Sequence, residues 1–342
     1  MQDVTVSEAD RAIVAALQLD GRAPWHQVAR AAGISEATVK RRAARLEEAG
    51  LLRVIGVVDV LRCGLGVPVL MRVRCRPGMS TEVAEAIAAR PEARFVCVVT
   101  GTADCVAEMV VPSPRDFVRV LVGDLRRLDG VIETETLAVM RTFISNHDWD
   151  PGLLDPAATA GAGLGGEALP FEEQVWEDPP ERLDDLERAI IDALGDAGRM
   201  SYADLARRVG GSEATARRRV GSLVKRGCLR FRTLAEPTLL GFGTELMLWV
   251  DVDPARLDQA GQQLAGHAGT KYLSASTGRY NLVGQVVLRH YGELYRYTTD
   301  VVGALPGVRS ADVTLQIDTL KRAWVPVPRE LRALATTNEE EK

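Results

Sequence analysis

The sequence predicts an α+β protein built as a tandem repeat, each copy joining a three-helix unit to a β-α-β-β-α-β unit. Three observations predict it. The chain matches itself without a gap at a shift of 177 residues, Asp10 falling on Glu187. About 20 of the 44 positions from Asp10 to Arg53 are then identical, among them Gly21-Arg22 with Gly198-Arg199 and Ser35-Glu36-Ala37-Thr38 with Ser212-Glu213-Ala214-Thr215. Helix start and stop signals fill the first third of each copy, and strand and helix periodicities alternate through the rest.

In the first copy Ala9, Ile13, Ala16 and Leu17 recur at helical spacing behind the N-cap Ser7, with Asp10 completing a capping box and Gly21 as the stop. Pro24 at a first-turn position opens a second helix, which carries Val28 and Ala29 inward and stops at Gly33. Ser35 caps a third helix that ends at Gly50. Its apolar residues Val39, Ala43 and Leu46 fall on one stripe, while Ala37, Lys40, Arg41, Ala44 and Arg45 lie opposite or beside it. Arg42 sits nearer the buried edge, placed to lay its stem on the core or to pair with Glu47 or Glu48. Three short helices with a Gly-containing turn before the third form a helix-turn-helix, the third being the recognition helix. Arg41, opposite the buried stripe, is the candidate for base edges. Lys40 and Arg45 are candidates for phosphates, with Ser35 and Thr38 at the helix start.

The second copy presents Ser212, Thr215, Arg217, Arg218 and Ser222 at the matching face. From Ser212 to Arg232 seven basic residues face only Glu213, against five basic and three acidic from Ser35 to Arg53, so the second copy is expected to hold phosphate more strongly. Gly211 in place of Ile34 and Ala216 in place of Val39 remove apolar surface, so the second copy is expected to be the less stable one.

After the helices, Leu51–Asp59 reads as a connecting strand and Val67–Val73 as another. Then come a helix over Thr81–Arg90, strands over Arg94–Thr100 and Cys105–Val111, a helix over Phe117–Leu128 and a strand over Val131–Met140. The order is that of the ferredoxin-like split motif, repeated from Glu245 to Ile317. An open sheet with helices on one face needs a partner for the other, so the two copies should pair sheet to sheet as an intramolecular pseudo-dimer, with further homo-oligomerisation open. The expected organisation is a winged or tri-helical helix-turn-helix at 5–55, a ferredoxin-like domain at 60–145, a flexible acidic linker at 151–182, a second helix-turn-helix at 183–232 and a second ferredoxin-like domain at 238–326. The linker expectation rests on D-P-A-A-T-A-G-A-G-L-G-G from Asp155 to Gly166, read as a tether, and the tail is expected to lose order beyond about Leu334.

At 342 residues with 46% hydrophobic and 26% charged, the composition is that of an ordinary globular protein. No run approaches the roughly 18 apolar residues of a membrane span, and Asp3, Glu8, Asp10 and Asp20 stand where a signal peptide needs a basic start and an apolar run, so a cytoplasmic protein is expected. Cys63, Cys75, Cys97, Cys105 and Cys228 form no C-x-x-C pair and read as reduced core thiols. His26, His147, His267 and His290 show no metal-ligand spacing, and neither metal nor cofactor is expected. The net charge of −5 conceals a division: ten acidic residues face only Arg182 between Pro151 and Glu187, leaving the rest of the chain at about +4.

The pattern S-x-x-T-V-x-x-R-x-x-x-L-x-x-x-G from Ser35 to Gly50, the linking strand, and a ferredoxin-like domain with a T-G-x-x-D turn resemble the Lrp/AsnC family of transcription regulators, here as a tandem fusion. The resemblance implies that the first part of each copy binds double-stranded DNA and that the second, a RAM-type domain, dimerises. It also implies a small effector, often an amino acid, held near the turn. By position it points to Thr100, Gly101, Thr102 and Asp104, and to Thr277, Gly278 and Asn281, the last lacking the carboxylate. A tight hairpin turn that needs Gly for its backbone is the alternative account of both turns. A second resemblance, to sirohaem decarboxylases of haem biosynthesis, implies an enzyme with His and Arg on the hairpin before the third strand. The hairpins here, R-F-V-C-V-V-T-G-T-A-D and K-Y-L-S-A-S-T-G-R-Y-N, carry no His, and no nucleophile–base or paired-carboxylate constellation supports an enzyme.

Overall fold

The computed structural model describes residues 6–146, 148–164 and 180–332. The acidic residues Glu167, Glu172, Glu173, Glu177 and Asp178, His147, and the tail beyond Leu334 lie outside the described residues. The chain forms two compact units, one of residues 1–64 with 146–240 and the other of 65–145 with 241–342.

The first unit contains both three-helix heads. Head one comprises α1 (Glu8–Leu19), α2 (Trp25–Ala32) and α3 (Glu36–Glu48), followed by β1 (Arg53–Val58). Ser7 and Asp10 make the expected capping box, although α1 already ends at Leu19, before Gly21. Pro24 is the N-cap of α2, one residue earlier than its expected place inside the helix. Head two repeats these elements after α6 (Pro156–Ala162) as α7 (Asp185–Asp196), α8 (Tyr202–Val209), α9 (Glu213–Lys225) and β6 (Leu229–Leu234). The connecting strands pair with each other. β1 and β6 run antiparallel, and Ile55 stands opposite its own repeat mate Arg232, so a pseudo-two-fold axis passes through that pair. Thr233 on β6 donates its hydroxyl to the Leu17 carbonyl at 2.6 Å, and the Leu194 Cβ leaves no room for a Cβ at Gly56 on β1. The first helix of each head thus packs on the linking strand of the other copy.

In each head one buried acid fastens the first helix to the third. Asp10 accepts from Arg42 at 3.1 Å and Arg45 at 2.7 Å. Its repeat mate Glu187 accepts from Arg219 at 3.3 Å and Arg226 at 2.7 Å. Arg42 therefore pairs neither with Glu47 nor with Glu48, because the fully buried Asp10 carboxylate is the stronger claimant.

The expected tether is a helix in its first part. Asp155 caps α6 by accepting from the Ala157 N–H, Pro156 supplies the first turn, and Gly163 closes it in the left-handed conformation. Alanine favours helix strongly enough that capping at both ends overrides the Gly-containing composition. The helix docks on head one, where Arg30 donates to the Gly161 carbonyl at 2.6 Å and Ala162 and Leu164 are buried.

The second unit holds both ferredoxin-like parts. The first runs β2 (Val67–Cys75), α4 (Ser80–Ala88), β3 (Ala93–Val99), β4 (Cys105–Val111), α5 (Pro114–Phe117) continuing in wider turns to Asp124, and β5 (Val131–Ile144). The second runs β7 (Thr244–Val252), α10 (Leu257–Ala265), β8 (Thr270–Ser276), β9 (Leu282–Leu288), the short α11 (Leu294–Arg296) continuing to Val302, β10 (Val308–Arg322) and the stub β11 (Val325–Pro326). Within each copy the spatial order is that of the split motif, β3-β4-β2-β5 and β8-β9-β7-β10. The copies do not stack as two open sheets. They join edge to edge, β5 to β8 and β10 to β3, so β2–β5 and β7–β10 close into a ring. The two seams have the same register: Val139 faces Ser276 where Gln316 faces Val99, and Ile144 faces Leu273 where Lys321 faces Val96. The expectation of stacking failed because β5 and β10 run on past Met140 and Ile317 to Ile144 and Arg322. Those extensions offer edges that β8 and β3 satisfy, and closure removes the unpaired edge that an open sheet leaves. One apolar cluster fills the ring (Leu70, Phe95, Val106, Leu137, Met247 and Trp249 among others), and each copy has its own core beneath its helices.

Two predictions follow from this packing. A Cβ at Gly198 would lie 2.8–2.9 Å from backbone atoms of Ile55, whereas one at Gly221, inside α9, meets nothing within 4 Å. Gly198→Ala should destabilise by about 1–3 kcal/mol, and Gly221→Ala, which restores the residue found at Ala44, should stabilise by about 0.5–1 kcal/mol; denaturant unfolding of the full chain measures both. The second concerns Asp10. Burial pushes its pKa up, but hydrogen bonds from Ser7 and Arg42 and the charge of Arg45 outweigh burial and hold it below the ordinary value. A carboxyl depressed in the folded state stabilises above its unfolded pKa and loses that contribution as pH falls through the folded value. Asp10→Asn should therefore cost about 2 kcal/mol at pH 7, and the gap to wild type should narrow as pH falls below about 4. A gap unchanged down to pH 2 would show that the charge of Asp10 contributes nothing.

Candidate functional site

The recognition helices carry the candidate residues as the pattern of small, apolar and basic positions requires. Val39, Ala43 and Leu46 on α3, and Ala216, Val220 and Leu223 on α9, are buried. The opposite faces are open to solvent. Ser35 accepts from the Thr38 N–H at 3.3 Å and shares a 2.8 Å hydroxyl bond with Thr38; Ser212 and Thr215 repeat the arrangement at 3.2 and 2.9 Å. These caps fix where each helix begins, and so where its free N–H groups point.

The basic residues separate into those in reserve and those already engaged. Arg41 and Arg218, repeat mates, are exposed, and among the described residues neither side chain makes a hydrogen bond or ion pair. Lys40 pairs with Glu36 at 2.7 Å and Arg217 with Glu213 at 3.2 Å, each one helical turn away and exposed. Such exposed pairs are screened by solvent and contribute little, so a phosphate would displace the glutamate at small cost. Arg45 is different. It holds the buried Asp10, and moving it to a phosphate would leave that carboxylate short of a partner. Its repeat mate Ser222 is exposed on α9.

The larger positive charge counted on the second copy is also partly committed. Arg226 pairs with Glu187 and Glu181, and Arg230 with Asp148 at 2.8 Å. Counting basic residues along the sequence therefore overstates the advantage of head two. Sequence reasoning missed this because the acids lie outside the Ser212–Arg232 window; Glu187 as the repeat mate of Asp10 was the available signal.

The T-G turns are exposed, with Gly101 and Gly278 at φ 95° and 97°, the left-handed backbone that favours glycine. Their side chains are engaged within the second unit. Asp104 accepts the Cys75 N–H at 2.7 Å. Asn281, its repeat mate, accepts the Val252 N–H at 2.9 Å and donates to the Val252 carbonyl at 2.8 Å. The amide thus does at β7 what the carboxylate does at β2, which accounts for the departure at this position. Thr100 exchanges two bonds with Leu315, both 2.9 Å, and Thr277 two with Ala138, both 2.9 Å. The threonines therefore close the two seams of the ring. Thr102 donates to Asp312 at 3.0 Å, which also accepts from Arg72 at 2.7 Å. Arg72 reaches into the ring and stacks on Trp249, its own repeat mate, at 4.8 Å. Neither residue was singled out from the sequence, although a mismatch of Arg with Trp at equivalent strand positions marks the spot.

All five cysteines are unbridged and buried, and among the described residues no cluster of His, Cys, Asp and Glu is placed to hold a metal. Among the same residues no helix is long and apolar enough to cross a membrane.

The AsnC-type helix-turn-helix domain matches residues 7–47 and again 183–224, and the Lrp/AsnC ligand binding domain matches residues 68–149. An uncharacterised HTH-type transcriptional regulator of Pyrococcus horikoshii is 32% identical over 146 residues, 42% of this chain and 92% of the relative. A counterpart in Pyrococcus abyssi is 31% identical over 147 residues, 43% of this chain and 93% of its own length. Each relative thus corresponds in length to a single copy of the repeat. Among solved structures the sirohaem decarboxylase NirDL is similar in fold over 96% of this chain and 97% of its own, with a TM-score of 0.60 at 17% identity. The two matched heads, the ligand-binding match between them and the coverage of the Pyrococcus relatives establish that this chain belongs to the Lrp/AsnC family, as a tandem form with two copies of the unit in one polypeptide.

Proposed function

We propose that this chain is a sequence-specific DNA-binding transcriptional regulator whose two heads read a bipartite, asymmetric operator in double-stranded DNA and respond to a small effector such as an amino acid. The observation that carries the reading is the pair of capped helices, α3 and α9, which hold Arg41 and Arg218 open to solvent within one unit arranged about the Ile55–Arg232 pseudo-dyad. Heads related by a two-fold axis suit half-sites in opposite orientation on the duplex. Because Lys40, Arg41, Ala44 and Arg45 face Arg217, Arg218, Gly221 and Ser222 as repeat mates, the half-sites should differ. In this reading Arg41 and Arg218 contact base edges, Lys40 and Arg217 contact phosphates, and Ser35, Thr38, Ser212 and Thr215 set the helix starts. Arg45 is a fastener of α3.

The effector belongs at the exposed turns of Thr100, Gly101, Thr102 and Asp104 and of Thr277, Gly278 and Asn281. A ligand that recruits the Thr100 or Thr277 hydroxyl competes with a seam bond, so binding there would act on the joint between copies. The fold shared with NirDL supports no second reading by itself, since neither hairpin presents a histidine.

In vitro selection followed by mobility shift on the full chain tests the reading. Arg218→Ala and Arg41→Ala should each weaken the selected site by about 1–3 kcal/mol and relax preference at one position, while Arg45→Ala should lower thermal stability more than affinity. Affinity should fall steeply with salt. Equal binding by wild type and the Arg41→Ala/Arg218→Ala variant, a symmetric palindrome as the best site, or a tetrapyrrole absorption band in the purified protein would each count against the assignment.

A further inference from the structure

Two arginines cross between the heads. Arg22 donates Nη2 to the Met200 carbonyl at 3.1 Å and lies over the rings of Tyr202 at 4.8 Å and Phe231 at 5.1 Å. Its repeat mate Arg199 donates Nη1 to the Gly21 carbonyl at 2.6 Å and Nη2 to Ala23 at 2.8 Å, and lies over Trp25 at 3.8 Å. Trp25 and Tyr202 are themselves repeat mates and begin α2 and α8, the helices that lead into the turns before α3 and α9. On head two the contact reaches the recognition helix, because Arg217 also lies over the Tyr202 ring, at 4.6 Å.

We propose that Arg22 and Arg199 are the positioning residues that fix the distance and rotational phase between the two recognition helices, and thereby make the protein selective for one half-site spacing. This rests on the operator-reading function above. The heads also meet along the β1–β6 ribbon, six residues in each strand, and where each first helix packs on the other copy's linking strand, with the Gly198 N–H donating to the Val54 carbonyl at 2.8 Å, Thr233 to Leu17 at 2.6 Å and Arg53 to Asp196 at 2.9 Å. Those contacts hold the linking strands and first helices about the axis, whereas Arg22 and Arg199 reach Tyr202 and Trp25 at the starts of the helices that lead into the recognition helices. As a reciprocal pair on either side of the axis they set the placement of each second helix, and so of the recognition helix after it, against the other head. Each guanidinium combines a planar stack with carbonyl hydrogen bonds, a combination that lysine, with a compact ammonium and no planar face, does not reproduce. Both arginines are half-buried against the other head, so their loss leaves the exposed phosphate and base contacts in place.

The test uses the full chain and duplexes carrying the selected operator with 0, 2, 5 or 10 base pairs inserted between half-sites, plus one duplex with a single half-site. Wild type should lose at least about tenfold in affinity with five inserted pairs, since rotating one half-site by half a turn forfeits the second head. In Arg22→Lys/Arg199→Lys and Arg22→Ala/Arg199→Ala the loss should shrink to within about threefold, with single-half-site affinity unchanged. Arg199→Lys alone serves if the double variants unfold. Variants that keep the wild-type spacing profile, or that lose single-half-site binding as much as operator binding, would overturn this inference and leave the operator-reading function standing. A wild type with no sequence preference would instead overturn that function.

Discussion

The antiparallel pairing of β1 with β6 is the constraint on which the rest of the head unit depends. Each linking strand has one edge that only the other copy can satisfy, and an unpaired strand edge inside a packed unit leaves backbone N–H and C=O groups without partners. Pairing Ile55 with Arg232 satisfies both edges at once and places the two heads about an axis. The close approaches that follow admit no side chain: Gly198 lies against the Ile55 backbone, and Gly56 against Leu194. The same logic recurs in the ferredoxin-like unit, where two seams of identical register close the ring. In both units hydrogen-bonded strand edges join the copies, and apolar packing follows the geometry those bonds impose.

A single chain carrying both copies also permits what a symmetric dimer does not. On a true two-fold axis each residue near the axis meets itself. Here Arg72 meets Trp249 inside the ring, a cation over an aromatic face with Asp312 accepting from the guanidinium. The like-with-like alternative would bring two arginines together away from water. The buried-acid fastener shows a comparable divergence. Asp10 is held by Arg42 and Arg45, whereas Glu187 is held by Arg219 and Arg226, the second donor having moved from the place of Ser222 to that of Ala49. The longer glutamate reaches a donor further along the helix, and α9 gains a small polar residue where α3 has an arginine.

Electrostatics in this protein therefore cannot be read from totals. The net charge of −5 conceals an acidic segment and a basic remainder, but many of the arginines in that remainder are engaged by other parts of the protein. Arg22, Arg42, Arg45, Arg199, Arg219 and Arg226 all serve contacts within the head unit. Opposite charge within reach of a basic helix decides which of its residues remain for an external anion, and the buried part of that charge comes here from Asp10 on α1 and Glu187 on α7.

The repeat, the helices of the two heads, the caps at Ser7, Ser35 and Ser212, and the strand order of the ferredoxin-like parts were legible in the sequence, because local signals carry them: periodicity, capping hydroxyls and glycine at turns act within a few residues; the helix expected at Phe117–Leu128 instead starts at Pro114, capped by Ser113, and widens after Phe117. The buried stripe and the open face of each recognition helix followed from the same 3.6-residue period. What the chain does with its edges, and with arginines such as Arg22, Arg45 and Arg72, depended on partners more than 30 residues away. The pairing of β1 with β6, the closing of the ring by the extended β5 and β10, and the engagement of Asp104, Asn281 and the turn threonines were settled only by tertiary structure. The physical reason is range. A cap or a helix stripe is satisfied by its own neighbours, whereas a strand edge, a guanidinium or a buried carboxylate takes the best partner the folded chain brings near, and sequence order does not say which that is.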